Sequence, residues 1–207
     1  MQSDSLSDSD STQSFVSQES SLAADSISDE EELQSIPPTS KAEAEALAAV
    51  SLETEKLEKR QRQITAKMVL PYSPEQVWQV LTDYERLADF IPNLATSQRL
   101  EHPQNGIRLE QIGVQNALFL KFSARVVLDM TEDFLNTIHF DMIEGDFKAF
   151  SGDWLLEPVA DGTQLTYSLF IWPKRTMPII AIEKRLRYDL PRNLLAVQRR
   201  LEMFHAS

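Results

Sequence analysis

Residues 71–93, PYSPEQVWQVLTDYERLADFIPN, bring Asp83, Glu85 and Asp89 close together, with Trp78 and Tyr84 beside them. Carboxylates this near in sequence can act as general acid and base if they are positioned and desolvated. The local pattern argues for neither condition. Val77, Trp78, Val80 and Leu81 recur at helical spacing and claim the inward face. The acids are left to an exposed face and a helix end. The histidines His102, His139 and His205 fall on different elements. None has H-E-x-x-H or a comparable metal-ligand spacing. The chain has no cysteine, which excludes thiolate nucleophiles, disulfides and cysteine-ligated metals. No G-x-S-x-G, P-loop or G-x-G-x-x-G occurs. These observations predict neither a metal nor a cofactor, and they assign no catalytic residue.

A different chemistry is written in the aromatic residues. Phe90, Phe122, Phe140, Trp154 and Tyr167 all fall on predicted inward faces. Leu186, Leu190 and Leu194 face them from the C-terminal segment. Apolar walls with one or two polar groups are what small-molecule pockets are made of. Tyr167 supplies such a group, because a buried phenol needs a partner. The same residues could equally make a filled core.

Regular elements must hold these side chains in place. ITAKMVLPY (64–72) reads as a strand. Ser73, Pro74 and Glu75 then give a cap, a proline in the first helical turn and an acid at the positive helix end. Leu87, Phe90 and Ile91 form a second short helix that Pro92 stops. Six strands follow, at 95–101, 107–118, 121–130, 137–143, 149–158 and 163–172. Gly106, Gly145 and Gly162 fall in predicted turns between them, where positive φ is expected. Gly113 and Gly152 lie inside strands, where glycine often marks a bulge or bend. Phe122, Ala124, Val126 and Leu128 alternate with Lys121, Ser123, Arg125 and Asp129, so one face of the sheet is apolar and must be covered. The cover is a helix over 178–204, with Ile182, Leu186, Leu190, Leu194, Val197 and Leu201 at spacings of three or four. Pro191 should kink or split it. Helices segregated to one face of an antiparallel sheet make an α+β fold.

Charge divides the chain. Residues 1–58 carry 14 acids against two lysines, which accounts for the whole net charge of −12. Residues 59–207 are balanced, so there is no general basic excess for nucleic acid. Residues 1–40 hold too few hydrophobes to offset chain entropy and read as a disordered acidic, Ser-rich tail. Residues 41–63, rich in Ala, Leu, Glu and Lys, read as a helical linker. The folded domain is expected over 64–204. Within it, residues 174–200 carry eight basic side chains against Glu183 and Asp189. A basic outer side of the helix would suit transient contact with an anionic membrane surface. No apolar run approaches the roughly 18 residues of a membrane span. The acidic N-terminus lacks a secretory or transit pattern. The expectation is a cytoplasmic protein, at most peripheral to a membrane.

The order strand, two short helices, six strands and long helix resembles the START-like helix-grip superfamily, which includes the polyketide cyclases. Tyr72-Ser73-Pro74-Glu75-Gln76-Val77-Trp78, Asp83-Tyr84-Glu85 and Phe90-Ile91-Pro92-Asn93 carry the likeness. So do Phe122-Ser123-Ala124-Arg125-Val126, Gly145-Asp146-Phe147, Trp154-Leu155-Leu156-Glu157-Pro158 and Asp189-Leu190-Pro191. Within the superfamily the chain is most similar to coenzyme Q-binding START-domain proteins of the cyanobacterial and plastid-like branch. The resemblance implies a curved seven-stranded sheet gripping the C-terminal helix. It also implies binding, transport or chaperoning of an isoprenoid quinone or lipid in the space between them. The same scaffold hosts aromatase/cyclase-like enzymes, and a filled cavity would leave a protein-interaction module.

Overall fold

The computed structural model describes residues 40–117 and 120–205, with the side chains of 115–122 and 205 outside the description. The expected tail over 1–40 lies outside the described residues, apart from Ser40. The described residues fall in one unit, Ile36–Ser207.

The elements run α1 (Lys41–Ala48), β1 (Ser51–Lys56), β2 (Arg62–Leu70), α2 (Pro74–Thr82) and a 3₁₀ helix (Tyr84–Asp89). They continue with β3 (Leu94–Leu100), β4 (Ile107–Ala117), β5 (Leu120–Asp133), β6 (Thr137–Gly145), β7 (Ala149–Val159), β8 (Gly162–Trp172) and α3 (Ile179–His205). The strands form one antiparallel sheet in the order β1-β2-β8-β7-β6-β5-β4-β3. The sheet is curved and open, and the architecture is the helix-grip α+β fold.

The strand count is eight, not seven. The expected helix over 41–63 stops at Ala48, and residues 51–56 form the edge strand β1. Helix propensity ranks Ala, Leu, Glu and Lys high, but pairing decides here. SLETEK alternates, with Leu52 turned onto the core and Glu53 and Glu55 exposed. Its ladder runs Leu52↔Ala66, Thr54↔Ile64 and Lys56↔Arg62 along β2. The first predicted strand likewise begins two residues earlier, at Arg62.

Helix α2 starts as its sequence dictates. Ser73 Oγ accepts from the Gln76 N–H and Gln76 Oε1 accepts from the Ser73 N–H, a complete capping box with Pro74 following. Val77, Trp78, Val80 and Leu81 are buried. Helix α3 runs unbroken from Ile179 to His205, so Pro191 does not split it.

The left-handed residue in the 102–106 turn is Asn105 (φ 56), not the glycine beside it. Gly162 does adopt positive φ (134), at the β7–β8 turn. Gly152 marks no shift of register; it makes room. It pairs with Phe140 across β6 and β7. A Cβ there would lie 2.2 Å from the Ser168 carbonyl oxygen and 2.5 Å from Phe140 Cζ. Gly113, by contrast, pairs with Leu94 at the register shift Leu94/Thr96, as expected of a strand glycine, and a second shift falls at Val127/Leu128.

Gly152→Ala is therefore expected to cost about 2 kcal/mol by overpacking. Urea denaturation measures it, and an unchanged midpoint would show that the sheet yields freely there.

Candidate functional site

The pairing of β6, β7 and β8 places aromatic side chains side by side on the inner face. Trp154 pairs with Tyr167, and their rings stack with centroids 3.8 Å apart and planes 2° from parallel. Phe140 lies 6.3 Å from Tyr167 and 5.7 Å from Phe150. Phe150 stacks on Phe147 at 5.4 Å. The row runs from mid-sheet to the Gly145–Lys148 turn. Phe140 is sealed, whereas Phe147, Phe150, Trp154 and Tyr167 keep some accessible surface although they face inward.

Helix α3 is fixed differently along its length. From Leu190 onward it is anchored by apolar burial: Leu194, Val197 and Leu201 are all 0% exposed. Before Leu190, Ile179, Ile182 and Leu186 are only partly buried, and the tethers are polar. Arg62 Nε donates to Glu183 Oε2, with both side chains mostly buried. Arg60 donates to the carbonyls of Lys174 and Met177. Arg187 donates to Thr54 Oγ1 at 2.9 Å.

Asp189 sits where the two halves meet. Its Oδ2 accepts from Arg185 Nε at 2.8 Å, and its Oδ1 accepts from Asn93 Nδ2 at 3.1 Å. Asn93 holds a left-handed backbone (φ 63), and its carbonyl accepts from the Val114 N–H. Burial raises the Asp189 pKa from 3.8 to about 6, against the opposing pull of Arg185, Arg192 and Asn93. Burial also pushes the Tyr167 phenol up, and the Asp189 charge adds to that. In the sequence Asp189 is one acid in the basic run and the first residue of Asp189-Leu190-Pro191, with no site role assigned to it. Its position three residues after Leu186, on an apolar stripe, was the available signal.

The eight expected lining residues thus divide. Phe140, Leu190 and Leu194 lie in closed core. Trp154, Tyr167 and Leu186 lie on the partly open wall. Phe90 packs at the other end, with the Arg200 guanidinium over its ring at 5.6 Å. The Phe122 side chain lies outside the described residues. A cleft of about 300 Å³ at the rim is lined by Ser123, Asp146, Lys174, Thr176, Met177 and Pro178. None of the other seven lines it.

The carboxylates that first invited attention are not gathered into a site. Asp83 caps α2 and pairs with Arg86 at 4.0 Å, while Glu85 and Asp89 are exposed. His102 Nδ1 accepts from the Gln104 and Gly106 N–H groups, which ties a turn. His139 bonds Asp153 on the outer face at 2.6 Å. Among the described residues no cluster of three His, Asp or Glu could hold a metal. Part of the basic run also turns inward: Arg185 meets Asp189, and Arg192 meets Glu43 at 3.9 Å with both side chains mostly buried. No described helix is long and apolar enough to cross a membrane.

Residues 70–197 match the family described as polyketide cyclase / dehydrase and lipid transport. The chain belongs to that family. The family binds apolar small molecules such as lipids. The ribosome association toxin RatA of Rickettsia prowazekii is 25% identical over 112 residues, covering 54% of this chain and 75% of the relative. Human STARD10 shares the fold with a TM-score of 0.61 at 12% identity, over 75% of this chain and 70% of its own. A STAR-related lipid transfer protein from Xanthomonas axonopodis gives 0.56 at 17%, over 74% and 94%. The Zhui aromatase/cyclase from a Streptomyces species gives 0.57 at 18%, over 69% and 94%. The family match begins at residue 70, so α1, β1 and nearly all of β2 precede it.

Asp189 also makes a stability prediction. Its folded pKa is raised, so the folded chain holds the proton more tightly than the unfolded one. The resulting stabilisation is complete below about pH 4 and is lost as pH rises through about 6. Asp189→Asn mimics the protonated acid. It is expected to match wild type near pH 4 and to exceed it by about 2–3 kcal/mol above pH 7. Denaturant titrations across that range test this; parallel pH profiles for the two proteins would refute it.

Proposed function

We propose that this domain binds an isoprenoid quinone or a lipid under the first half of α3, as a carrier or chaperone. One observation supports the reading above others: the inward aromatic wall of Phe147, Phe150, Trp154 and Tyr167 stays partly open there, while the second half of α3 is sealed. Occupying that wall would stabilise the complex by about 25 cal/mol per Å² of apolar surface removed from water. Polar tethers hold the half of the helix that must move, and a polar tether exchanges with water at little net cost. Pro191 lies at the junction and deletes one backbone hydrogen bond of the helix there. The helix then lifts about Pro191 to admit ligand. Exposed Ile180 and Trp172, with Lys148 over the Trp172 ring and Lys174 and Arg175 nearby in sequence, give that end an apolar tip with basic flanks, suited to an anionic membrane surface.

A second reading, an aromatase/cyclase-like catalyst in the same space, is favoured by the mostly buried Asp189 with a pKa of about 6 beside Tyr167. A carboxyl poised near neutrality suits proton transfer next to a carbonyl.

Solvent extraction and mass spectrometry of the full chain purified from cells should recover an apolar molecule in near-stoichiometric amount. Recovery of none would overturn the carrier reading. Pro191→Ala restores the missing hydrogen bond and is expected to slow ligand exchange about fivefold. Equal exchange rates would remove the hinge.

A further inference from the structure

Beside the aromatic row the wall has one polar level, and its depth is set by backbone geometry. Asp189 lies ten residues into α3 from Ile179, about 15 Å at the helical rise. Tyr167 lies five residues back from Trp172 on β8, roughly 17 Å at the strand rise. A short connection joins Trp172 to Ile179, so the two residues sit at one level below the same rim. Between that level and the rim the aromatic side of the inner surface is apolar, formed by Phe147, Phe150, Ile182 and Leu186, while on the β2 side the Arg62–Glu183 pair closes on itself.

The two polar groups at this level are in different states. Both Asp189 oxygens are engaged, by Asn93 and Arg185. The Tyr167 hydroxyl finds no acceptor among the described residues. It is also not among the polar atoms shut off from solvent-sized space. A phenol in an apolar surrounding, with its O–H unspent, is a donor waiting for an acceptor. The Asp189 charge close by disfavours a second anion, and Arg185 is already committed to that carboxylate.

We propose that Tyr167 and Asp189 form the head-group site of this chamber, and that it takes a neutral oxygen acceptor, a carbonyl or ether oxygen, and rejects carboxylate or phosphate heads. The inference rests on the proposed binding of an apolar molecule under α3. The ligand enters head first, its oxygen accepts from the Tyr167 O–H, and its tail lies along Phe150 and Phe147 toward the rim. A long-chain quinone fits this description; a fatty acid or phospholipid does not.

Calorimetric titration of the full chain near pH 8 with three probes tests it: a decyl-substituted benzoquinone, decanoate, and butylbenzene, which has no head. The benzoquinone should bind at least about tenfold more tightly than decanoate. Tyr167→Phe should lose about tenfold for the benzoquinone, one hydrogen bond's worth, and nothing for butylbenzene. Its unfolding midpoint should stay unchanged, since the hydroxyl has no described partner to lose. Asp189→Asn should raise the affinity for decanoate. If wild type and Tyr167→Phe bind the benzoquinone equally, or decanoate binds as tightly as the benzoquinone, the head-group site is wrong while the chamber stands. If wild type binds none of the three, the chamber itself is wrong.

Discussion

One helix has to cover the apolar face of an eight-stranded sheet, and it is too narrow to do so. A helix with side chains is about 10 Å across, whereas eight strands spaced about 4.8 Å apart span roughly 35 Å. Curvature brings the edges inward, and α2, α1 and the 3₁₀ helix plug parts of the perimeter. The remaining gap must be filled by large side chains or left for something else. Where small and medium aliphatics of β2 and β8 meet the second half of α3, the fill is complete: Ile64, Leu165, Leu194 and Leu201 are 0% exposed. Where β6 and β7 curve away, aromatic rings reach across and still leave surface accessible.

The charges inside the domain follow from the same shortage of cover. Arg62–Glu183, Arg185–Asp189 and Arg192–Glu43 all join α3 to its surroundings or to itself with little exposure. Desolvation takes back much of what such pairs gain, so they add little net stability. They do fix geometry: Asn93 and Asp189 set the azimuth of α3 against the 3₁₀ helix, and Glu43 ties α1 to the same turn of the helix. Both α1 and β1 precede the region matched by the family, and through Glu43 they are joined to the turn of α3 that holds Pro191.

The sheet was legible because strands buried on one face alternate, and alternation is plain in 138–142, although Val126, Val127 and Leu128 are all buried beside a register shift. The gripping helix was legible because its stripe of Ile182, Leu186, Leu190, Leu194 and Leu201 is long. Edge strand β1 was not, because SLETEK satisfies helix propensity and strand pairing alike, and only the waiting edge of β2 decides between them. The turn at Asn105 was misplaced by one residue for a similar reason, as Asn and Gly both tolerate a left-handed backbone. The site was less legible than the fold. Leu186, Leu190 and Leu194 are equivalent on a helical wheel, yet only the surface opposite determines that the first faces a gap and the others a packed core.

Asp189 shows how one residue can serve two readings that differ in kind. A carboxyl in a mostly buried wall can hold a ligand's head in one orientation, or it can move a proton on that head. The difference lies in what is bonded to its oxygens when the ligand is present. With Arg185 and Asn93 each bonded to one oxygen, the carboxylate is oriented and about half its acceptor capacity is used, which is how a positioning group is built. Proton transfer needs one oxygen free and within hydrogen-bond reach of the reacting carbon. Lifting the first half of α3 would move Arg185 and Asp189 together, since both ride on that helix, but would leave Asn93 behind. Such a motion would free Oδ1 and no other Asp189 oxygen. Whether Asn93 closes again on the bound state separates a carrier from a catalyst on this scaffold.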